Sequence, residues 1–155
     1  MKGNEKVIET LNALLADELT AVSQYMVHSE MCANWGFQLL HKAIEKRAID
    51  EMKHAEKHIA RILFLEGRPI VSNLNKMDIG ADVEAQLAND WTAEEGAIKA
   101  YNEGIRLAAE EGDNGTRELL GAILVEEEAH IDWIEAQLDQ IKQMGIKNYL
   151  AVQIG

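Results

Sequence analysis

Asp50-Glu51-Met52-Lys53-His54 decides how this chain is read, because Glu126-Glu127-Glu128-Ala129-His130 repeats its pattern later. Each stretch is an acidic pair followed by a histidine three residues beyond the second acid. On an α-helix, residues three apart share a face, so each Glu and its His reach one common point. A lone Glu-x-x-His is most often a solvated surface pair, and only its surroundings give it weight. Glu18 stands thirty-three residues before Glu51, and Glu94 thirty-three before Glu127. Tyr25 follows Glu18 by seven residues, as Tyr101 follows Glu94. Such repetition reads as an internal duplication of a helical pair. It predicts two antiparallel helix hairpins facing each other across a pseudo-twofold, with four carboxylates and two imidazoles converging between them.

The composition fits this reading. At 155 residues the chain is read as one domain, residues 1–155, with enough length for a proper core. Apolar residues make up 47% and charged residues 27%, with a single proline, so a mostly helical globular chain is expected. A net charge of −12 argues against a nucleic-acid partner and suits cation handling. Cys32 has no cysteine partner, which points to a reducing compartment. Met1-Lys2-Gly3-Asn4-Glu5 lacks an apolar signal region, and no apolar stretch approaches the ~18 residues of a membrane span. The expectation is a cytoplasmic protein with no membrane association.

In chain order, the first helix is expected from about Glu5 to Trp35 with Asn4 as its cap. Its apolar stripe is Val7, Leu11, Leu14, Leu15, Val22 and Tyr25, and Glu18 falls inside it. After Gly36 a second helix runs to about Glu66, stopped by Gly67 and Pro69, with Glu51 and His54 on its inward face. Residues 68–81 show no helical period and form a connection long enough to cross the bundle, which leaves the second and third helices parallel. Asp82 caps a third helix carrying Glu94 and Tyr101. Gly112-Asp113-Asn114-Gly115-Thr116 restarts the chain into a fourth, which carries Glu127 and His130 to about Met144. Ile146 to about Val152 is a short fifth helix, too brief to stand alone and so docked on something.

Six ionisable groups in apolar stripes need an energetic account. Each buried carboxylate without a partner costs several kcal/mol, so four exceed the roughly 5–15 kcal/mol by which a domain is stable. No Lys or Arg lies in the stripes at that level to compensate. Two divalent cations do compensate, and they suit mixed oxygen and imidazole ligands. Two Glu-x-x-His units plus one Glu from each remaining helix match the di-iron or di-manganese pattern of four-helix bundles. The symmetric assignment pairs Glu18 with His54 and Glu94 with His130, and Glu51 and Glu127 bridge. Tyr25 and Tyr101 either pack beside the site with a hydrogen bond to an acid, or, for Tyr25, supply an electron or orient a ligand.

With these residues placed, the chain resembles a bacterioferritin over essentially its full length. Met1-Lys2-Gly3, Ile62-Leu63-Phe64-Leu65-Glu66-Gly67, Glu127-x-x-His130-Ile131-Asp132-Trp133 and Met144-Gly145-x-x-Asn148-Tyr149-Leu150 carry the resemblance. It implies an all-α, ferritin-like four-helix bundle with a long crossover between helices two and three and a short C-terminal fifth helix. It further implies a homo-oligomeric cage of twenty-four subunits, with the fifth helix lining fourfold contacts. Ferroxidase activity is implied too: two irons per subunit at Glu18, Glu51, His54, Glu94, Glu127 and His130, oxidised by oxygen or peroxide and stored as ferric mineral. Met52 matches the ligand of a haem b shared between two subunits, and a ferredoxin-type electron donor would serve iron release. Many relatives carry a His and an acid just before the second-helix Asp-Glu, where they help hold iron on the inner surface. Lys46 and Arg47 stand there in this chain and repel cations. The competing reading is a non-storage di-iron or di-manganese oxidoreductase, peroxidase-like or catalase-like, on the same bundle.

Overall fold

The computed structural model describes residues 1–155 and contains five helices and no strand. They are α1 (Glu5–Asn34), α2 (Gln38–Phe64), α3 (Val83–Glu110), α4 (Asn114–Met144) and α5 (Ile146–Ala151). The expected caps form: Asn4 Oδ1 accepts from the Lys6 and Val7 amides, and Asp82 Oδ1 from the Ala85 amide. Each satisfies amide donors that the first helical turn leaves unpaired, worth about 1 kcal/mol.

The ending of α2 departs from the expectation. The left-handed residue is Glu66 (φ 62°), not Gly67. Gly67 serves close approach instead, because a Cβ there would come within 2.8 Å of Ile8 Cγ2 on α1.

Cross-helix contacts give the topology. Tyr25 meets Glu94 and Glu18 meets Tyr101, so α1 and α3 are antiparallel. Ser29 meets His41 while Glu18 approaches His54, so α1 and α2 are antiparallel too. Therefore α2 and α3 run parallel, and the connection between them spans the bundle as expected. That crossover must find partners for its amides. Asn75 N–H donates to Thr20 Oγ1 (2.8 Å), Asp78 N–H to Gln24 Oε1 (3.0 Å) and Gly80 N–H to His28 Nε2 (3.0 Å).

Two apolar clusters fill the interior. One contains Leu11, Leu15, Ile62, Leu120 and Ile123; the other contains Leu40, Ile44, Leu87, Ile134 and Tyr149. A layer of buried ionisable groups separates them. The fifth helix docks through Tyr149, which is fully buried and donates to Gln137 Oε1 (2.6 Å). Gln153 O accepts from the Leu39 amide at the start of α2 (3.0 Å).

Candidate metal centre

Each helix of the bundle sends a glutamate into the layer between the two apolar clusters. Glu18, Glu51, Glu94 and Glu127 are at most 2% exposed, and His54 and His130 are buried beside them. Their donor atoms fall into two overlapping groups: Glu18, Glu51, His54 and Glu127, and Glu51, Glu94, Glu127 and His130. Within each group the atoms lie within 4.8 Å of one another, and Glu51 and Glu127 belong to both.

Four of the buried side-chain atoms that lack a hydrogen-bond partner belong to this cluster: Glu18 Oε2, His54 Nδ1, Glu94 Oε2 and Glu127 Oε1. His54 Nδ1 comes 2.8 Å from Glu127 Oε1, yet the pair lacks hydrogen-bond geometry. Buried polar atoms left unpaired are rare and costly. Here they are one nitrogen and three carboxylate oxygens at ligating separations, a donor set that fits a pair of divalent transition-metal ions.

What surrounds the ligands fixes their direction. Tyr25 donates its hydroxyl hydrogen to Glu94 Oε1, and Tyr101 donates to Glu18 Oε1. Each terminal glutamate thus has one oxygen tied to a tyrosine of the opposite hairpin and the other without a partner. The histidines are held from behind in the same crossed manner. Glu126 meets His54 Nε2, and Asp50 lies 3.4 Å from His130 Nε2, leaving both Nδ1 atoms on the cluster side. A carboxylate behind a ligating imidazole fixes its tautomer and raises its basicity.

The electrostatics follow from crowding acids in a dry layer. Burial, and then the charge of Glu18, push the Glu51 carboxyl well above its ordinary value. Burial and the neighbouring Glu127 carboxylate push Glu94 up to about 8. Burial acts downward on His54, but the close carboxylates of Glu127 and Glu18 outweigh it and raise His54 to about 10. Burial first, then Glu94, hold the Tyr25 phenol far above the usual range, so it stays a donor. Protons share the space that cations of higher charge would neutralise better.

Two openings flank the cluster. Between α1 and α3, under the crossover, a cavity of about 280 Å³ is lined by all four glutamates and, farther out, by Asp17 and Asp78. Between α2 and α4 a groove of about 580 Å³ runs along His130 and Trp133.

The structure brings together the six expected ligands and Tyr25. Met52 stands apart, 46% exposed on the outside of α2, with Ile49 one turn back and also exposed. On α1 Met26 is exposed, whereas Leu19 packs against the core. Four buried residues escaped the sequence reading: His58, His28, Gln24 and Asp90. His58 lies 2.6 Å from the Tyr101 hydroxyl, and its spacing of four from His54 was the available signal. His28 and Gln24 both reach Asp90 Oδ1, at 2.9 Å and 2.8 Å. Because His28 Nε2 accepts from Gly80, its proton is on Nδ1 and is donated to Asp90.

A bundle with a full-length crossover and two glutamate-histidine units around a shared carboxylate pair defines a class of di-metal carboxylate proteins. Residues 8–144 match the family model for the ferritin-like domain. The chain is 40% identical over 149 residues to a bacterioferritin of Rhodobacter capsulatus, covering 96% of this chain and 92% of that one. It is 39% identical over 149 residues to a bacterioferritin of Brucella melitensis biotype 1, again 96% and 92% of the two chains. A bacterial ferritin of Paramagnetospirillum magnetotacticum is 42% identical over 159 residues, covering 100% of this chain and 96% of the relative. The chain belongs to the bacterioferritin family.

Proposed function

We propose that this protein stores and detoxifies iron, oxidising Fe(II) to Fe(III) at a paired centre in each subunit and holding the ferric product inside a hollow homo-oligomer. One observation carries the reading: two four-residue donor groups share Glu51 and Glu127 and hold four buried atoms without partners. In this reading Glu18 and His54 serve one iron, Glu94 and His130 the other, and Glu51 and Glu127 span both. Two Fe(II) ions, the substrate, lose one electron each, and oxygen or peroxide accepts the pair.

The residues around the ligands have definite tasks. Asp17 and Asp78 make the α1–α3 opening attractive to a divalent cation. Tyr25, by holding Glu94 Oε1, turns Oε2 toward the metal position; Tyr101 does the same for Glu18. Asp50 and Glu126 keep the imidazoles aimed inward.

Family membership also supports assembly into a cage, which we take as twenty-four subunits in the cytoplasm. No helix is long and apolar enough to cross a membrane. Met52 offers a half-exposed thioether on an outward apolar patch, and with its copy in a second subunit it would hold a haem b. Such a haem would supply electron transfer for iron release, with a ferredoxin-type donor as partner. Membership in this family disfavours a non-storage oxidoreductase. Sizing of the purified protein together with Fe(II) oxidation followed by absorbance tests the proposal. A particle of several hundred kilodaltons with rapid oxidation supports storage, whereas a dimer points to the solitary enzyme.

A further inference from the structure

The groove between α2 and α4 runs against the charge of the molecule. In a chain of net charge −12 with 15 basic residues, four of those residues, Lys46, Arg47, Lys53 and Lys57, line this one groove. Its two acids are already engaged. Glu126 meets His54, and Asp50 lies 3.4 Å from His130 and 3.5 Å from Lys46. No carboxylate lies within ion-pair distance of Arg47, Lys53 or Lys57; the ion pairs of the chain include none of the three.

Arg47 carries the second, independent observation. Its guanidinium lies over the Trp133 ring, 5.3 Å from the centroid, which fixes its plane. Its Nη1 is buried and has no hydrogen-bond partner. That N–H is closed to solvent; the groove is lined by the rest of a guanidinium held flat by an aromatic ring, whose donors match carboxylate and phosphate oxygens. Lys53 and Lys57 are exposed, one turn apart on the same face of α2, and can close on such a ligand from the side.

We propose that this groove binds a small tetrahedral oxyanion of the phosphate class, with Arg47 as its anchor and Lys53 and Lys57 as flanking cations. The groove is floored by His130, so the anion would sit directly behind a residue of the metal centre. The binding claim stands on the groove alone. Its consequence, a counter-ion delivered where ferric product leaves the centre, rests on the iron-storage reading. The α1–α3 opening is lined by the four glutamates and Asp17, with Asp78 paired to Lys76 at its edge, and suits the incoming cation, so the two mouths would admit opposite charges.

The test is titration of inorganic phosphate into the assembled protein stripped of metal by chelation, followed by calorimetry and phosphorus NMR. Wild type, Arg47→Gln, the double variant Lys53→Gln with Lys57→Gln, and Lys2→Gln as a control outside both openings are compared. We expect saturable binding in wild type and in the control. In the groove variants we expect binding weaker by roughly tenfold or more, the equivalent of about 1.4 kcal/mol. Lys53 and Lys57 are exposed, so the double variant keeps the proposal testable even where Arg47→Gln disturbs packing on Trp133. Equal binding in all four proteins, or no saturable binding in wild type, overturns the proposal. The initial burst of Fe(II) oxidation, measured on the same proteins without phosphate, separates the two readings. Its absence in wild type would fail the ferroxidase proposal while leaving the phosphate result to decide the groove.

Discussion

The Tyr25 hydroxyl, on α1, donates to Glu94 Oε1, on α3, and so links one half of the duplicated pattern to the terminal acid of the other. Tyr101 and Glu18 form the mirror contact. The metal layer is therefore laced across the pseudo-twofold by two phenols that burial keeps protonated. Removing the Tyr25 donor frees Glu94 to rotate and leaves its Oε1 unpaired in a dry site. Such a loss costs about 1–3 kcal/mol. Tyr25→Phe is expected to fold and assemble but to slow the first phase of Fe(II) oxidation by roughly tenfold. Stopped-flow absorbance checks this, and a wild-type rate would make Tyr25 a packing residue only.

The buried acids give the protein, once stripped of metal, a characteristic pH dependence. Glu94 titrates near 8 when folded but at the ordinary value near 4.5 when unfolded, so the folded state binds the extra proton between those values. Stability is therefore lost as pH rises toward 8. Glu51 is shifted the same way, and His54, raised to about 10, loses its contribution as pH rises through that value. His58 runs oppositely, because burial lowers it to about 4, but its window closes by about 6.5. Above that the first three act together with His130, which is also held above its ordinary value. The melting temperature of the stripped protein is expected to fall from about pH 6.5 to about pH 8.5. Added Zn(II) should raise it most at the alkaline end, since metal displaces protons. A flat profile without metal would contradict the electrostatic account.

What the sequence disclosed and what it hid divide along one line. Glu18, Glu51, His54, Glu94, Glu127 and His130 were legible because the duplication repeats their spacing, and helical geometry turns spacing into a shared face. The caps at Asn4 and Asp82 and the crossover were legible from local chemistry. The His28–Asp90–Gln24 network was not, because its members lie on different helices and have no counterpart in the other half. Nor could Asp50 and Glu126 be assigned to the opposite histidines, since each crosses between helices. Gly67 looked like a helix stop, but the backbone turned one residue earlier and needed Gly67 for room against Ile8.

Met52 offers a separate check. Met52→Leu keeps the volume of the side chain and removes the sulfur. Expressed with ample haem, the variant should assemble and oxidise iron at the wild-type rate yet lose low-spin haem absorption. Retained haem with an unchanged spectrum would assign the ligand elsewhere, with Met26 the next thioether on the exposed face.

The bridging acids separate stability from function. Glu51 sits where burial and Glu18 both oppose its charge, so Glu51→Ala should raise the melting temperature of the stripped protein. The same variant should lose the stabilisation that added Zn(II) confers on wild type. A melting temperature that falls without metal would show that Glu51 is held by contacts other than those of the cluster.

The most direct measurement is the stoichiometry of the rapid oxidation phase in wild type and in Glu127→Ala. Glu127 belongs to both donor groups, so its removal dismantles both metal positions at once. Fe(II) is added in increments to stripped protein in air, and the fast absorbance change is read by stopped flow. The account predicts saturation at two Fe(II) per chain in wild type and no fast phase in Glu127→Ala, with the variant still folded and assembled. A fast phase of wild-type rate and size in Glu127→Ala would contradict it.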